Sequence, residues 1–366
     1  MMKKMISLIL IVSFILCACG KEETTSSVPL VPADEYEVEW VDTSVLTPGD
    51  GVAVCVINSR MCFVQMIPES VDENNKITYR YEEVFYDMVS GEWSEPKIIP
   101  ATDKINQMGM GYAFEMAPDG TWYFQCCDWD EKEKRYHESG VARITEDGFE
   151  KIEIPEDIAE EKLIISQYMI RNNGKLYLKV YPESKEDEVF SPEDLNVVIY
   201  DPVTEEFEYC GDLQIGERDF IVIRDEFFYY SIAGGGSGFS VKTKETGDVV
   251  QRELFCEGET PEGGWESDEI HTIHKSCDEE DNVYIFNAGG IYGGYYKDTG
   301  LKNIVPASII GELNLSTMHD RDKSNYMVDF WRGAETDYAD FYVLIADTSD
   351  EIYDKLTLAH IKKKEQ

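Results

Sequence analysis

A short segment centred on an aromatic residue recurs six times along the chain, and this repeat constrains the fold more than any other feature. The central aromatic residues stand at positions 63, 123, 177, 229, 284 and 342, so successive spacings are 60, 54, 52, 55 and 58 residues. The segments are rich in Val, Ile, Leu, Tyr and Phe, and most follow turn residues such as Asp119-Gly120 and Asn173-Gly174. This pattern is typical of β-strands separated by tight turns. We therefore expect a modular all-β fold.

Each repeat contains further strand-like segments. One precedes each aromatic segment, and a third and usually a fourth follow it, as in Asn196–Tyr200 and Phe207–Cys210. Four strands per unit, at a spacing slightly above that of known propeller repeats, predict a β-propeller of six four-stranded blades. The alternative is another multi-strand β fold, such as two sandwiches.

The two ends of the domain complement each other. The last unit has only three strand-like segments, the third being Leu356–Ile361, whereas a lone segment, Tyr36–Val41, stands unused near the N-terminus. Pairing the lone segment with the last unit would close the ring and remove two exposed strand edges. The predicted propeller domain is 36–366.

Two segments resemble known propeller repeats. Ala117–Trp122 looks like the strand entry of TolB-type repeats, and Asp278–Ile285 looks like the NHL-type pattern. The resemblance covers roughly residues 36 to 363. It implies a propeller but assigns no catalytic residue, because these proteins share no common activity.

The N-terminus predicts export and lipidation. Lys3 and Lys4 precede Met5–Leu16, an uncharged and mostly apolar run too short to span a bilayer but suited to a signal peptide. The segment Leu16–Cys19 resembles the lipobox of bacterial lipoproteins, in which the cysteine is acylated. With the propeller repeats, it makes the chain similar to propeller-bearing lipoproteins of Gram-positive bacteria.

The resemblance implies that residues 1–18 are a signal peptide, that Cys19 carries the lipid and that 19–35 form a polar tether. The mature chain would then be anchored by acyl chains at the extracytoplasmic face of the cell membrane. Lipidation at Cys17, or an ordinary signal peptide followed by a stray cysteine, are the alternatives.

The charge balance excludes one class of partner. Beyond Cys19 the chain holds 31 basic and 73 acidic residues, since two of its 33 basic residues are Lys3 and Lys4. Such an acidic surface repels phosphate backbones, so we expect no nucleic-acid partner.

Seven cysteines follow Cys19, an odd number spread over a long chain, which is not a disulfide scaffold. Cys55 and Cys62 would lie opposite each other if Asn58-Ser59 formed a two-residue hairpin turn. A three-residue loop would separate them, and the sequence leaves both arrangements open.

Motifs for catalysis, metals and cofactors are incomplete. Gly234–Gly238 lacks the final glycine of a nucleophile elbow, because Phe239 stands there. His271 and His274 would point to opposite faces of a strand and could not share an ion. Asp128–Glu131 supplies too few oxygen ligands for Ca²⁺. We expect no catalytic residue, metal site or cofactor from these motifs.

The loops suggest a ligand face. In a propeller, the loops between second and third strands and those between blades open on one side. This side would hold the hairpin 128–137 and two glycine-rich loops, 234–238 and 289–294. The predicted ligand-binding residues, expected to combine exposed aromatic rings with small backbone, are Trp129, Trp265, Tyr292, Gly235 and Gly290.

The sequence thus favours a membrane-anchored binding or scaffolding propeller with a glycan, peptide or envelope protein as partner. A glycan-active enzyme is the alternative function. Such an enzyme requires two suitably placed carboxylates, and 73 acidic residues leave that pair unidentified.

Overall fold

The computed structural model is built almost entirely from β-strands. It describes residues 35–47, 49, 51–171, 173–185, 196–210, 220–223, 226–232, 239–245, 248–256, 274–277, 282–287, 290–295, 300–313, 325–334, 340–349 and 352–364. The helices in these ranges are Thr102–Met108, Ala307–Glu312 and the 3₁₀ turn Glu183–Lys185. None of the helices in the described ranges is long and apolar enough to cross a membrane.

The first unit is a five-stranded sheet. Its strands are β2 (Gly51–Ile57), β3 (Arg60–Val71), β4 (Ile77–Asp87), β5 (Glu92–Trp93) and β6 (Lys97–Ile98). The order is β2-β3-β4-β5, and β6 also pairs with β4. A two-residue turn joins β2 to β3, with Asn58 at φ 49° and Ser59 at φ 58°. Positive φ at both positions is the geometry that follows the natural twist of a hairpin.

The second and third units are four-stranded antiparallel sheets. The second contains β7 (Gly109–Met116), β8 (Trp122–Asp130), β9 (Arg135–Thr145) and β10 (Gly148–Lys151). The third contains β11 (Leu163–Ile170), β12 (Leu176–Pro182), β13 (Asn196–Asp201) and β14 (Glu206–Tyr209). In both, strands adjacent in the chain pair with each other.

The next two units share one eight-stranded sheet. The fourth is β15 (Phe220–Ile223), β16 (Glu226–Ile232), β17 (Phe239–Glu245) and β18 (Asp248–Cys256). The fifth is β19 (His274–Cys277), β20 (Asn282–Asn287), β21 (Gly290–Tyr295) and β22 (Gly300–Pro306). A parallel pairing of Phe255 with Gly300 and Cys256 with Leu301 joins the two units.

The last unit takes a strand from each end of the chain. Its strands β23 (Asn325–Arg332), β24 (Phe341–Ser349) and β25 (Ile352–Lys363) are followed in the sheet by β1 (Tyr36–Val41). The β1–β25 register runs antiparallel from Tyr36↔Lys363 to Val41↔Leu358. Tyr36 also donates a 2.6 Å hydrogen bond to the carbonyl of Ile304 in the fifth unit. The predicted pairing of the N-terminal strand with the last unit is confirmed.

Neighbouring sheets pack face to face, and successive side chains of a strand point alternately to the two faces of its sheet. In β3, Met61 and Phe63 pack against Tyr342 and Leu344 of the last unit. Cys62 and Val64 point the other way, into a core shared with the second unit. Similar cores join the second unit to the third and the last unit to the fifth. The chain is therefore an all-β protein of the β-propeller class, as predicted.

The repeat identified in the sequence corresponds to one position in each unit. All six central aromatic residues fall in the strand that comes second: β3, β8, β12, β16, β20 and β24. In β3, β8, β12 and β24 consecutive residues are buried on both faces of the strand, so large apolar side chains are favoured there. The number of blades stays a prediction, because two units are joined in one sheet.

Candidate functional site

The strand that comes first in each of the first three units is partly open to solvent. All residues from Gly51 to Val56 of β2 are partly exposed, and β7 and β11 include the exposed residues Ala113 and Gln167. By contrast, Met61–Ile67 of β3 and Trp122–Cys127 of β8 are buried. First strands also contact one another between units, as β2 does with β7 and β7 with β11. We call β2, β7 and β11 the inner strands.

A bulge in β7 shapes this region. The β7–β8 register shifts between Tyr112, opposite Gln125, and Glu115, opposite Tyr123. Within the bulge Ala113 has φ 47°, a left-handed conformation that a residue with a Cβ adopts at a cost of about 1 kcal/mol or more. The hydroxyl of Tyr168 in β11 donates to the carbonyl of Ala113 and so helps to hold the bulge. Bulges commonly redirect side chains beside functional sites.

The side chain that follows the bulge is the carboxyl of Glu115. The backbone N–H of Ile170 in β11 donates a 2.6 Å hydrogen bond to its Oε2. Glu115 lies deep between the strands, yet part of its surface remains accessible. Burial raises the pKa of Glu115 to about 8, although the Ile170 N–H and the charge of Arg171 act in the opposite direction. The carboxyl is therefore mostly protonated at neutral pH and can donate a hydrogen bond.

Cys55 of β2 lies near Glu115, because β2 packs against β7. Glu115 raises the pKa of the Cys55 thiol through its charge, after the larger effects of a hydrogen bond with Cys62 and of burial. Tyr168 is buried in the same region, and its pKa is raised by burial and then by the charge of Glu115. The three inner strands therefore bring four residues together: Glu115, Cys55, Tyr168 and Ile170. We call this set the inner-strand site.

The hairpin between β8 and β9 carries a second group of polar side chains. One ligand atom from each of Asp130, Glu133 and His137 lies within 4.8 Å of the others, a spacing that could hold a cation. However, the Nε of Arg135 lies 2.6 Å from Glu133 Oε2 and 3.2 Å from His137 Nε2. The backbone N–H groups of Glu133 and Lys132 bind Asp130 and lower its pKa. The guanidinium of Arg135 thus already pairs with the Glu133 carboxylate, which a cation would need as a ligand.

Trp129 stands at the end of β8, beside this hairpin. It is half-buried, and its ring packs edge-on against Tyr136 with centroids 4.8 Å apart. Its Nε1 has no hydrogen-bond partner among the described residues. Trp129 is therefore less exposed than expected, and its role in binding stays a prediction.

The expectation of a glycine loop with an exposed aromatic ring at 289–294 is wrong. Gly290 and Tyr292 belong to β21, where they pair with Asn287 and Ile285 of β20. Tyr292 is 6% exposed, so its ring is not presented to solvent. Gly290 has φ 137°, and a Cβ there would collide with the Val305 carbonyl and lie 2.7 Å from Asn303 Nδ2. The close approach of β21 to β22 explains the glycine at position 290. Contact of Gly290 or Tyr292 with a ligand stays a prediction.

The other predicted site residues, Cys19, Gly235 and Trp265, lie outside the described residues. Sequence reasoning missed Glu115, the acidic residue at which the inner strands meet. The one local signal was Glu115 itself, an acid inside the strand-like segment 112–116. Its burial depends on a bulge and on a neighbouring unit, neither of which the local sequence specifies.

Comparison with known proteins finds only distant structural similarity. No protein-family model matches the sequence, and no curated protein matches it either. Similar solved structures include a luciferin-regenerating enzyme, with 12% identity, a TM-score of 0.44 and coverage of 89% of this chain and 95% of that one.

Two further similar structures are from bacteria. The NanB sialidase of Streptococcus pneumoniae has 8% identity and a TM-score of 0.42, over 95% of this chain and 72% of that one. Regucalcin of Agrobacterium tumefaciens, a calcium-binding protein, has 9% identity and a TM-score of 0.40, over 87% and 93%. Enzymes and a binding protein both occur among these β-propeller-like neighbours, so they do not choose between the two functions.

Proposed function

We propose that this protein is an exported, lipid-anchored binding propeller that holds its ligand at the inner-strand site. The anchor is the lipid on Cys19, and the tether 19–35 carries the domain away from the membrane. The ligand is a glycan or peptide that reaches the half-exposed inner strands. This placement differs from the loop face suggested by the sequence, where Trp129 and Trp265 remain secondary candidates.

The observation that carries the proposal is the recessed carboxyl of Glu115. Within the described ranges the Glu115 carboxyl accepts one hydrogen bond, from the Ile170 N–H to Oε2, and Oε1 is the atom we propose for the ligand. Because burial raises its pKa to about 8, the group acts as a hydrogen-bond donor at neutral pH. Hydroxyl and carbonyl oxygens, abundant in glycans and peptides, are suitable acceptors. A few placed polar groups on a partly apolar surface are typical of a binding site.

A glycan and peptide array tests this function. The purified protein should bind a restricted set of ligands, and Glu115→Gln should weaken that binding about tenfold or more, because a directed hydrogen bond is changed within a recessed site. Glu92→Gln is the matched control, since Glu92 is exposed on β5. Equal binding by all three proteins would place the ligand elsewhere.

The glycan-active alternative is supported by the same carboxyl. A carboxyl with a raised pKa is what a general acid in glycoside cleavage requires. Incubation of the array ligands with the protein, followed by mass spectrometry, separates the two functions. Cleavage that disappears in Glu115→Gln would favour the enzyme, whereas intact bound ligand supports a binding protein.

The anchor has an independent test in cells. Cys19→Ala should move the protein from the membrane pellet to the soluble exported fraction, because acyl chains provide the attachment. Cys17→Ser is the matched control and should stay in the pellet. A Cys19→Ala variant that also stays there would contradict lipid anchoring at this position.

A further inference from the structure

Cys55 and Cys62 lie opposite each other in the first unit. The register pairs Cys55 with Cys62, between Val54↔Phe63 and Val56↔Met61. The two-residue turn at Asn58-Ser59, left open by the sequence, fixes this register. Directly opposed residues of an antiparallel pair have Cα atoms roughly 4.5–5.5 Å apart and side chains on one face. Disulfides join Cα atoms at about 4.4–6.8 Å, so the pairing fits a cross-strand bridge.

The surroundings of the two thiols favour a reaction between them rather than with others. Each side chain is a free thiol in the structure, and the neighbouring Cys62 thiol is the first cause of the raised pKa of Cys55. Cys62 is 1% exposed in the core shared with the second unit. Cys55 lies on the inner strand β2 and is partly exposed. Cys55 is the more exposed residue of the pair, so it is the one that a reagent would meet first, and Cys62 lies directly opposite to complete the exchange.

We propose that Cys55 and Cys62 are a modification site at which a cross-strand disulfide forms by exchange with a disulfide-bonded reagent, such as a thiol–disulfide oxidoreductase. In the cell this rests on the proposed export, because disulfides persist outside the cytoplasm. The chemistry itself depends only on the hairpin. The bridge would fix the edge of β2 next to Glu115.

The exchange has two balanced steps. The Cys55 thiolate attacks one sulfur of the reagent's disulfide, forming a mixed disulfide and releasing one thiolate. The Cys62 thiolate then attacks the Cys55 sulfur, forming the Cys55–Cys62 bond and releasing the second. Two protons from the protein thiols end on the two released thiolates. The protein thiols lose two electrons to the reagent, whose disulfide is reduced to two thiols.

The rate should depend on pH in a defined direction. The hydrogen bond with Cys62 and burial raise the pKa of Cys55, so little thiolate is present at neutral pH. Exchange is therefore slow at neutral pH and accelerates as the pH rises.

Mapping by mass spectrometry tests the proposal on the purified full-length chain. Arg60 lies between the two cysteines, so trypsin separates them into different peptides. After incubation of the reduced protein with oxidised glutathione, peptides 22–60 and 61–76 should remain joined without reductant. Their joint mass should be about 2 Da below the sum of the separate peptides, and reductant should part them. Cys210→Ser, which removes a different buried thiol, should give the same joined pair.

Separate peptides with both thiols intact after oxidation, at neutral and alkaline pH alike, would overturn the proposal, as would a bridge from either residue to another cysteine. Cys62→Ser should retain glutathione on Cys55, which confirms the order of attack. The same mapping on protein alkylated at once from cells separates the two proposals. A bridge that forms in the purified chain but is missing from cells would contradict export to an oxidising compartment and leave the modification site intact.

Discussion

At the scale of single residues, a few backbone positions decide what the side chains can do. The positive φ of Asn58 and Ser59 sets the register that brings Cys55 and Cys62 together. The positive φ of Ala113 belongs to the bulge that precedes Glu115. The sequence shows which residues stand here, but it leaves the turn length open and gives no sign of the bulge. The conformation of Ala113 accompanies the irregular pairing of β7 with β8, a long-range feature that neighbouring residues do not specify.

The raised pKa of Glu115 has a consequence for stability. An unfolded chain ionises this carboxyl near its ordinary value of 4.5, whereas the folded chain holds the proton to about pH 8. The folded state thus binds more protons between these values, and its stability falls as pH rises through this window. Glu115→Gln should abolish the part of this decrease in the free energy of unfolding that Glu115 causes. That part is a few kcal/mol at most, because the carboxyl is partly exposed. Urea unfolding at several pH values measures it, with Glu92→Gln as control; parallel pH profiles for the wild type and Glu115→Gln would contradict the assignment.

At the scale of strands, the sequence predicted structure best where buried residues recur at the same place in each unit. Aromatic and branched residues in the second strands form a pattern that local sequence reveals, and β3 and β8 show its cause, since both of their faces are covered. The region around Gly290 shows the limit of such reasoning. Glycines that were expected in a loop, Gly290, Gly293 and Gly294, form part of β21 and pair with β20. Glycine content alone cannot distinguish a loop from a strand that approaches its neighbour closely.

Gly290→Ala tests the structural role of that glycine. The added Cβ would meet the Val305 carbonyl, and φ 137° is unfavourable for alanine. We expect a loss of stability of roughly 2 kcal/mol or more, from strain and steric conflict together. Gly311→Ala is the control, because a Cβ there meets nothing within 4 Å. Thermal unfolding of both variants decides, and equal melting temperatures would show that β21 and β22 are not so close.

At the scale of the whole molecule, the fold joins the two ends of the chain. β1 completes the last unit through β25, and Tyr36 also reaches the fifth unit. Sequence reasoning predicted this closure because one unit lacked a strand and one strand lacked a unit. It did not predict the inner-strand site, because that site combines residues from three units and depends on how the sheets pack.

Deletion of residues 36–41 should expose strand edges and lower the melting temperature by several degrees or more. Deletion of 21–32, in the predicted tether, should have almost no effect, because it leaves the β1–β25 pairing in place. Circular dichroism with thermal unfolding compares the two variants. Equal tolerance of both deletions would contradict a stabilising role for the closure.

The central claim is that the packed sheets hold a recessed but accessible carboxyl on the inner strands. The most direct measurement is carboxyl ¹³C NMR titration of glutamate-labelled protein, compared with Glu115→Gln. We predict one glutamate resonance that titrates with a pKa of about 8 and is missing from the variant. The claim would be contradicted if every glutamate titrated near its ordinary pKa. In that case Glu115→Gln would remove one of these ordinary resonances.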